Sequence, residues 1–470
     1  MFIGRVNELK VLEETYKKHG FQMTVIYGRR RIGKSRLITE FLKGKRASYY
    51  VASQVSLEDN VKKWSAQVIS DLNPELEGAD FGDLEGFFRF VGNLSKKARI
   101  VLALDEIPYM AEADDSFLSR FQVAVDTIFT TKNIYLIICG SAVSFMEKEI
   151  LSEKSPLFGR RTNQIFLKPF NYLESAEFVP KYSYEEKAIV YGVTGGVAKY
   201  LTLFDDSLSL DENLINNFFK SSGFLYEEPM NLLTQEFRTI NTYNTVIEVC
   251  AQGANKVNEI ADKARITTAT LSYVLKSLTT VGVISKVTSM TEKENTKKTA
   301  YEITDGMYRF WYTFIPAGRA AIEMNRGEVY YNNNVKGNLH SFMGKVFEEM
   351  CRYYTLSQGL DGKLKCIVTN VGNWWGPGHD HIPTDIDVVG IDDSAKKAVL
   401  GECKFKNEAI GREVYEALMK RRGLIDKRYE ETEFLLFSLS GFSKWVKENA
   451  DLERVRLISL KEMYSDTNHV

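Results

Sequence analysis

Gly28-Arg29-Arg30-Arg31-Ile32-Gly33-Lys34-Ser35 decides the fold of this chain. These eight residues meet every fixed position of the phosphate-loop pattern G-x-x-x-x-G-K-[ST]. Their surroundings agree. Met23 to Tyr27 reads as a short buried strand, and Arg36 to Leu42 continues as a helix. A strand, a glycine turn and a helix N-terminus make an anion site, because backbone N–H groups and the positive end of the helix dipole point at a β-phosphate. The nucleotide-binding set is then Gly28, Arg31, Ile32, Gly33, Lys34, Ser35 and Arg36. Lys34 would reach the β- and γ-phosphates, and the Ser35 hydroxyl would bind Mg²⁺. The bland alternative is an ordinary glycine turn with a solvated basic run; the flanking strand and helix weigh against it.

Downstream, Arg99-Ile100-Val101-Leu102-Ala103-Leu104-Asp105-Glu106 is an apolar strand ending in two acids, the Walker B layout. Asp105 would hold Mg²⁺ through water, and Glu106 would polarise the attacking water as the catalytic base. A further strand, Ile134 to Cys139, ends at Gly140-Ser141. From there Ser141 could sense the γ-phosphate between the two Walker elements; a simple strand-end turn is the alternative.

Composition bounds the rest. The 470 residues are enough for about three domains of ordinary size, with 44% hydrophobic and 26% charged residues, as in soluble globular proteins. A formal net charge of -1 gives no global pull toward nucleic acid or membrane, so any such binding rests on local patches. The five cysteines are scattered and form no C-x-x-C pair, which argues against a zinc ribbon or disulfide framework and suits a reducing cytoplasm. No signal peptide precedes the first helical pattern, and apolar runs are strand-length, so neither export nor a membrane span is expected.

Strand candidates Met23–Tyr27, Ala47–Val51, Ile100–Leu104, Ile134–Cys139 and Asn163–Leu167 alternate with helical patterns, which predicts a parallel doubly wound sheet over 1–168. Residues 169–239 read as helices only, a helical lid. Residues 240–314 read as three helices and a two-stranded wing, similar to a winged helix-turn-helix, with Thr268 to Thr280 as recognition helix and Glu292–Lys298 as wing tip. Lys276 is the only positive charge on that helix, so DNA reading competes with a role in relaying nucleotide state. The polar, Asn-rich stretch 315–338 reads as a linker, and 339–470 as a second α/β unit.

In that last unit Thr384-Asp385-Ile386-Asp387-Val388-Val389 precedes Val399-Leu400-Gly401-Glu402-Cys403-Lys404. An acid on one strand and E-x-K on the next is the PD-(D/E)xK nuclease layout, and strand alternation puts Glu402 and Lys404 on one face. Asp387 and Glu402 would bind Mg²⁺ or Mn²⁺, with Glu348 adding a metal or water contact. Lys404 would orient water and stabilise charge as the second catalytic residue. The alternative is a solvated sheet edge. Trp374 and Trp375 could stack on bases, with core packing as the other role. His379 and His381 have metal-like H-x-H spacing but no third ligand near in sequence, so a loop role is expected.

Phe2-Ile3-Gly4-Arg5…Glu8-Leu9 together with the Walker elements resembles the AAA+ superfamily, which implies that Gly4 and Arg5 help wrap the adenine. The phosphate loop, Leu104-Asp105-Glu106, Cys139-Gly140-Ser141 and Ser155-Pro156-Leu157-Phe158-Gly159-Arg160-Arg161 look more closely like the archaeal and bacterial ATPases related to the signal-transducing STAND NTPases, over roughly residues 1–240. That resemblance implies ATP as the nucleotide. It also implies that Arg160 or Arg161 faces the γ-phosphate, in cis or from a neighbouring subunit of a homo-oligomer; an ion-pair role is the alternative. The family's Thr-Gly-Gly-x-Pro stretch is here Thr194-Gly195-Gly196-Val197-Ala198, without the proline. Gly-x-x-Phe-Glu, Asn373-Trp374-Trp375, Ile-Asp-Val-Val and Gly-Glu-Cys-Lys, in that order, look like the DUF234 domain that follows the same ATPase, with Phe405 where a tryptophan is usual.

The expected fold class is therefore α/β: a P-loop NTPase parallel sheet with helical lid, a winged helix-turn-helix and a C-terminal α/β restriction-endonuclease-like domain. The expected function is an ATP-hydrolysing ATPase controlling a metal-dependent, nuclease-like domain that acts on DNA. The rival is an ATP-driven regulatory switch or partner-remodelling ATPase whose last domain binds but does not cleave.

Overall fold

The computed structural model describes residues 2–79, 81, 83–291 and 299–465. The expected wing tip, Glu292–Lys298, lies outside the described residues. The chain divides into two compact units, Met1–Phe170 with Val197–Lys199, and Asn171–Gly196 with Tyr200–Val470.

The first unit is built on β1 (Gln22–Tyr27), β2 (Ala47–Val51), β3 (Ile100–Asp105), β4 (Ile134–Gly140) and β5 (Asn163–Phe166). They form one sheet in the order β2-β3-β4-β1-β5, with every pairing parallel. Parallel strands need crossovers and are covered on both faces, which is why β3 and β4 are apolar and buried along their length. An aromatic cluster centred on Trp64, with Phe87, Phe88 and Phe121 around it, fills one face. The order places β4 between β1 and β3. The phosphate loop, Asp105-Glu106 and Ser141 therefore leave the same edge from adjacent strands.

The second unit begins with helices Tyr172–Ala176, Tyr184–Thr194 and Leu210–Phe218. Each starts at a reciprocal capping box, from Asn171 with Glu174, Ser183 with Glu186 and Ser209 with Glu212. Helices Asn241–Ala251, Val257–Ala264 and Thr268–Thr280 follow, then an antiparallel pair, β6 (Ile284–Thr288) and β7 (Thr299–Ile303).

Residues 315–338, expected as a linker, are helical. Helix Gly306–Glu323 runs through Pro316, and further helical turns cover Gly327–Asn338. The apolar face Met307, Phe310, Trp311, Phe314, Ile315 and Ile322 is buried and outweighs the cost of the proline. Tyr331 and Val335, either side of the asparagine run, are fully buried as well.

Helix Leu339–Leu360 leads into the second sheet: β8 (Asn370–Pro377), β9 (Pro383–Asp392), β10 (Lys397–Lys404), β11 (Glu430–Ser438) and β12 (Val455–Ser459). Its order is β12-β11-β10-β9-β8, antiparallel from β8 to β10 and parallel from β10 to β12. Edge strand β8 is met by the chain just after β6. Met290 N–H donates to the Asn373 carbonyl at 2.8 Å, and Ser289 bonds both the N–H and the carbonyl of Trp375. No helix among the described residues is long and apolar enough to cross a membrane.

Candidate functional site

The loop after β1 takes a conformation that its glycines allow. Gly28 has φ of 149°, and a Cβ there would stand 2.5 Å from the Leu167 carbonyl oxygen and 2.6 Å from Ile32 Cδ1. Gly33, at φ 94°, caps helix Lys34–Leu42, and Arg31 also holds a left-handed backbone at φ 73°. Ile32 is fully buried, so its side chain anchors the loop from below and only its backbone can face a ligand. Lys34 Nζ donates to the carbonyls of Gly28 at 2.9 Å and Arg29 at 3.0 Å, curling over the loop's mouth. Arg36 is exposed on the first turn of the helix.

Arg5, expected beside an adenine, is 5% exposed and lies under the loop. Its guanidinium donates to the Ile32 carbonyl at 3.1 Å, pairs with Glu8 at 3.4 Å and covers the Phe170 ring at 3.9 Å. Gly4 and Arg5 both have left-handed backbones, which turn the chain beneath the loop. The side chain's visible work is to hold the loop. The Lys199 N–H adds a bond of 3.0 Å to the Arg31 carbonyl from the Val197–Lys199 segment of the same unit.

At the end of β3, Asp105 is 2% exposed and accepts at 2.7 Å from Ser35 Oγ, linking the two Walker elements. Glu106 has φ 54°, a strained setting for a side chain of this kind. Its carboxylate accepts from the Ser141 N–H at 3.2 Å. The Ser141 hydroxyl is buried and has no hydrogen-bond partner among the described residues. An orphaned donor beside Glu106 fits an anionic oxygen entering from the loop. Ser35 and Asp105 form a hard-oxygen pair suited to Mg²⁺, which would supply charge neutralisation for the phosphates.

The two arginines are tethered inside the first unit. Arg160 forms a two-pronged pair with Asp126 at 2.8 and 2.7 Å and donates to the Phe158 carbonyl. Arg161 donates to the Leu151 carbonyl at 2.8 Å and lies over the Phe158 ring.

In the second unit, β9 and β10 pair with Val388 opposite Gly401, which brings Asp387 beside Glu402 and Lys404. Asp387 Oδ2 accepts from the Cys403 N–H at 2.9 Å. Glu402 Oε1 takes Lys404 Nζ at 2.6 Å, and Oε2 takes the Arg421 guanidinium. Glu348 lies 3.1 Å from Lys345 and 3.6 Å from Arg352, while Arg352 donates to the Asp387 carbonyl at 2.9 Å. Burial raises the Glu402 carboxyl and the Asp387 charge adds to it; Lys404 and Arg421 oppose. Glu348 is raised by burial too, with Asp387 adding and Lys345 opposing. Burial works against the Lys404 charge, yet Glu402 and then Asp387 hold its pKa above the ordinary value.

Acids and cations are thus interleaved. Among the described residues no group of three or more His, Cys, Asp or Glu is gathered so as to hold a metal ion. The acids are present, but Glu402 and Glu348 are each paired with cations of the chain itself. Arg421, just beyond helix Arg412–Lys420, is the member that motif spacing does not reveal. Trp374 is buried in the core, and Trp375 lies under Lys256. His379 Nε2 donates to the Arg422 carbonyl at 2.8 Å, and His381 sits exposed in the same turn.

The parallel sheet, the loop and the acids after β3 define a P-loop ATPase. Residues 2–204 match the family described as an ATPase domain predominantly from Archaea, and residues 311–421 match DUF234, described as archaeal and bacterial proteins of unknown function. The chain belongs to the family of archaeal ATPases that carry this C-terminal domain. It is 30% identical over 460 residues to "Uncharacterized protein MJECL04" of Methanocaldococcus jannaschii, covering 94% of this chain and 100% of that protein. "Uncharacterized ATP-binding protein MJ0423" of the same organism is 41% identical over 46 residues, 10% of this chain and 78% of that one. The Walker-type ATPase paby2304 of Pyrococcus abyssi shares the fold, with a TM-score of 0.51 and 21% identity, over 66% of this chain and 96% of that one.

Proposed function

We propose that this chain binds and hydrolyses ATP with Mg²⁺ and uses the nucleotide state to control a nuclease-like C-terminal domain that acts on DNA. The observation that carries the ATPase half is the convergence of Lys34, Ser35, Asp105, Glu106 and Ser141 at one edge of the sheet, with the Ser141 hydroxyl left without a partner among the described residues. In this reading the loop N–H groups and Lys34 bind the phosphates, Ser35 and Asp105 hold Mg²⁺, and Glu106 orients the attacking water. Gly4 and Arg5 support the loop from below.

The second half rests on Asp387, Glu402 and Lys404 standing together on β9 and β10. Mg²⁺ or Mn²⁺ would replace the internal cations on Glu402, with Glu348 as a further ligand. The domain boundaries that suit this reading are 1–168 for the core, 169–239 for a lid, 240–314 for a winged helix, 315–338 for a helical connection and 339–470 for the nuclease-like domain. The five free thiols suit a reducing cytoplasm. A homo-oligomer would bring a neighbour's arginine to the site only after Arg160 leaves Asp126 or Arg161 leaves the Leu151 carbonyl.

One observation favours a second reading, in which the last domain binds without cleaving: both oxygens of Glu402 are already satisfied by Lys404 and Arg421. The deciding experiment incubates the protein with linear, circular and single-stranded DNA in Mg²⁺ or Mn²⁺, with and without ATP. Lys34→Ala is expected to abolish nucleotide binding, and Lys404→Ala to abolish cleavage while sparing ATP hydrolysis. Cleavage that persists in Lys404→Ala removes the assigned active site. Intact ATP hydrolysis with no cleavage under any condition selects the binding reading.

A further inference from the structure

Strand β2 carries two adjacent tyrosines that point to opposite faces. Tyr50 is buried, stacks on Trp64 at 6.1 Å and donates to Asn60 Oδ1 at 2.9 Å, so it belongs to the core. Tyr49 faces the other way. It is paired in register with Ala103, and Val51 with Asp105. Alternation puts the side chains of 49, 103 and 105 on one face, and a phenol is long enough to reach two residues along the neighbouring strand, about 6.6 Å. It does so: Tyr49 Oη donates to Asp105 Oδ2 at 2.6 Å.

Asp105 is thereby held at both oxygens. Oδ1 accepts the Glu106 N–H at 2.9 Å, and Oδ2 accepts Ser35 Oγ at 2.7 Å as well as Tyr49. A carboxylate oxygen has two acceptor positions. If Ser35 turns a lone pair to a cation and swings its O–H away from Asp105, one position on Oδ2 becomes open to a water on that cation. Tyr49 keeps the other position and does not compete.

We propose that Tyr49 is a positioning residue of the ATPase site, its phenol fixing the Asp105 carboxylate in the orientation that serves Mg²⁺. The inference rests on the reading of Ser35 and Asp105 as the Mg²⁺ pair. Outer-shell partners of metal-holding groups are worth roughly 10- to 100-fold in metal affinity. A hydrogen bond to a buried carboxylate that keeps one other anchor belongs at the low end, about tenfold.

The test measures binding of a fluorescent ATP analogue as Mg²⁺ is titrated, and again in EDTA, in the full-length wild type, Tyr49→Phe, Asp105→Asn and the double variant. Tyr49→Phe removes one oxygen and leaves the ring, and a thermal melt checks that it folds. The expected result is a Mg²⁺ half-saturation raised about tenfold in Tyr49→Phe, unchanged affinity in EDTA, and no added effect of Tyr49→Phe in the Asp105→Asn background. An unchanged Mg²⁺ half-saturation overturns the inference, and so does an equal loss in EDTA, which marks a merely structural tyrosine. A wild type whose binding ignores Mg²⁺ overturns the underlying reading instead, so the two failures are distinguishable.

Discussion

Ser141 is 2% exposed, its N–H is given to Glu106, and its hydroxyl has no hydrogen-bond partner among the described residues. A buried hydroxyl without a partner is a cost to the folded state, so removing it should not destabilise. Ser141→Ala is therefore expected to melt at or slightly above the wild-type temperature. If the hydroxyl meets the transferring phosphate, ATP hydrolysis should fall by about tenfold or more in kcat, with KM changed much less. A melt that drops with unchanged kcat would make Ser141 a strand-end turn and no more. At this scale the sequence was informative where chemistry is contiguous. The turn at Gly28 to Ser35 and the strand end at Asp105-Glu106 are read directly because each pattern lies in one short run. Tyr49 and Arg421 were not legible, because each meets its carboxylate from a different element: Tyr49 reaches Asp105 from the edge strand, and Arg421 reaches Glu402 across the sheet from beyond a helix. Arg5 was legible as a special position, but its place beneath the loop shows only when Phe170 and Ile32 are brought to it.

Strands β9 and β10 followed from alternating acids and apolar residues, and their register sets the candidate metal site. The helical character of 315–338 was hidden because the polar run Asn332-Asn333-Asn334 masks the fully buried Tyr331 and Val335 on either side. Helix Arg412–Lys420 matters for what it delivers at its end. Arg421 pairs with Glu402, whose side chain is 5% exposed, so deleting the guanidinium leaves a buried carboxylate with Lys404 alone. Arg421→Ala is expected to cost about 3 kcal/mol of stability, the order found when one partner of a buried pair is removed. The same variant opens Glu402 Oε2 to another cation. Adding Mn²⁺ should then raise the melting temperature of Arg421→Ala by several degrees more than that of the wild type, since a ligand that binds only the folded state stabilises it. Equal shifts in the two proteins would mean that Glu402 is a structural acid held by its own lysine and arginine.

The second unit is closed by its own end. Helix Leu460–Ser465 packs against the helices that begin the unit, some 280 residues earlier in the chain. The Tyr464 ring lies 5.2 Å from Tyr172, edge-on, and 5.3 Å from Tyr184, stacked, while the Tyr172 hydroxyl donates to the Met463 carbonyl at 2.9 Å. Such a contact ties the helices Tyr172–Ala176 and Tyr184–Thr194 to the helix that follows β12 of the C-terminal sheet. Met343 and Val346 of helix Leu339–Leu360 reinforce this by closing on Gly192, where a Cβ would come within 2.7 Å of the Met343 sulfur. The Tyr464 hydroxyl is buried and has no hydrogen-bond partner among the described residues, so its oxygen is dispensable while its ring is not. Tyr464→Phe should therefore be neutral or stabilising, whereas Tyr464→Ala should cost about 3–5 kcal/mol by opening a cavity. The loss should be felt at the far end of the sequence: in Tyr464→Ala, limited proteolysis and hydrogen exchange should open residues 172–194 together with the C-terminal sheet. The phosphate loop and the acids after β3 lie in the first unit, so nucleotide affinity should survive the substitution. If exchange rises only near the C-terminus and 172–194 stays protected, the last helix is a local appendage and the unit is held closed by Gly192 and helix Leu339–Leu360 instead.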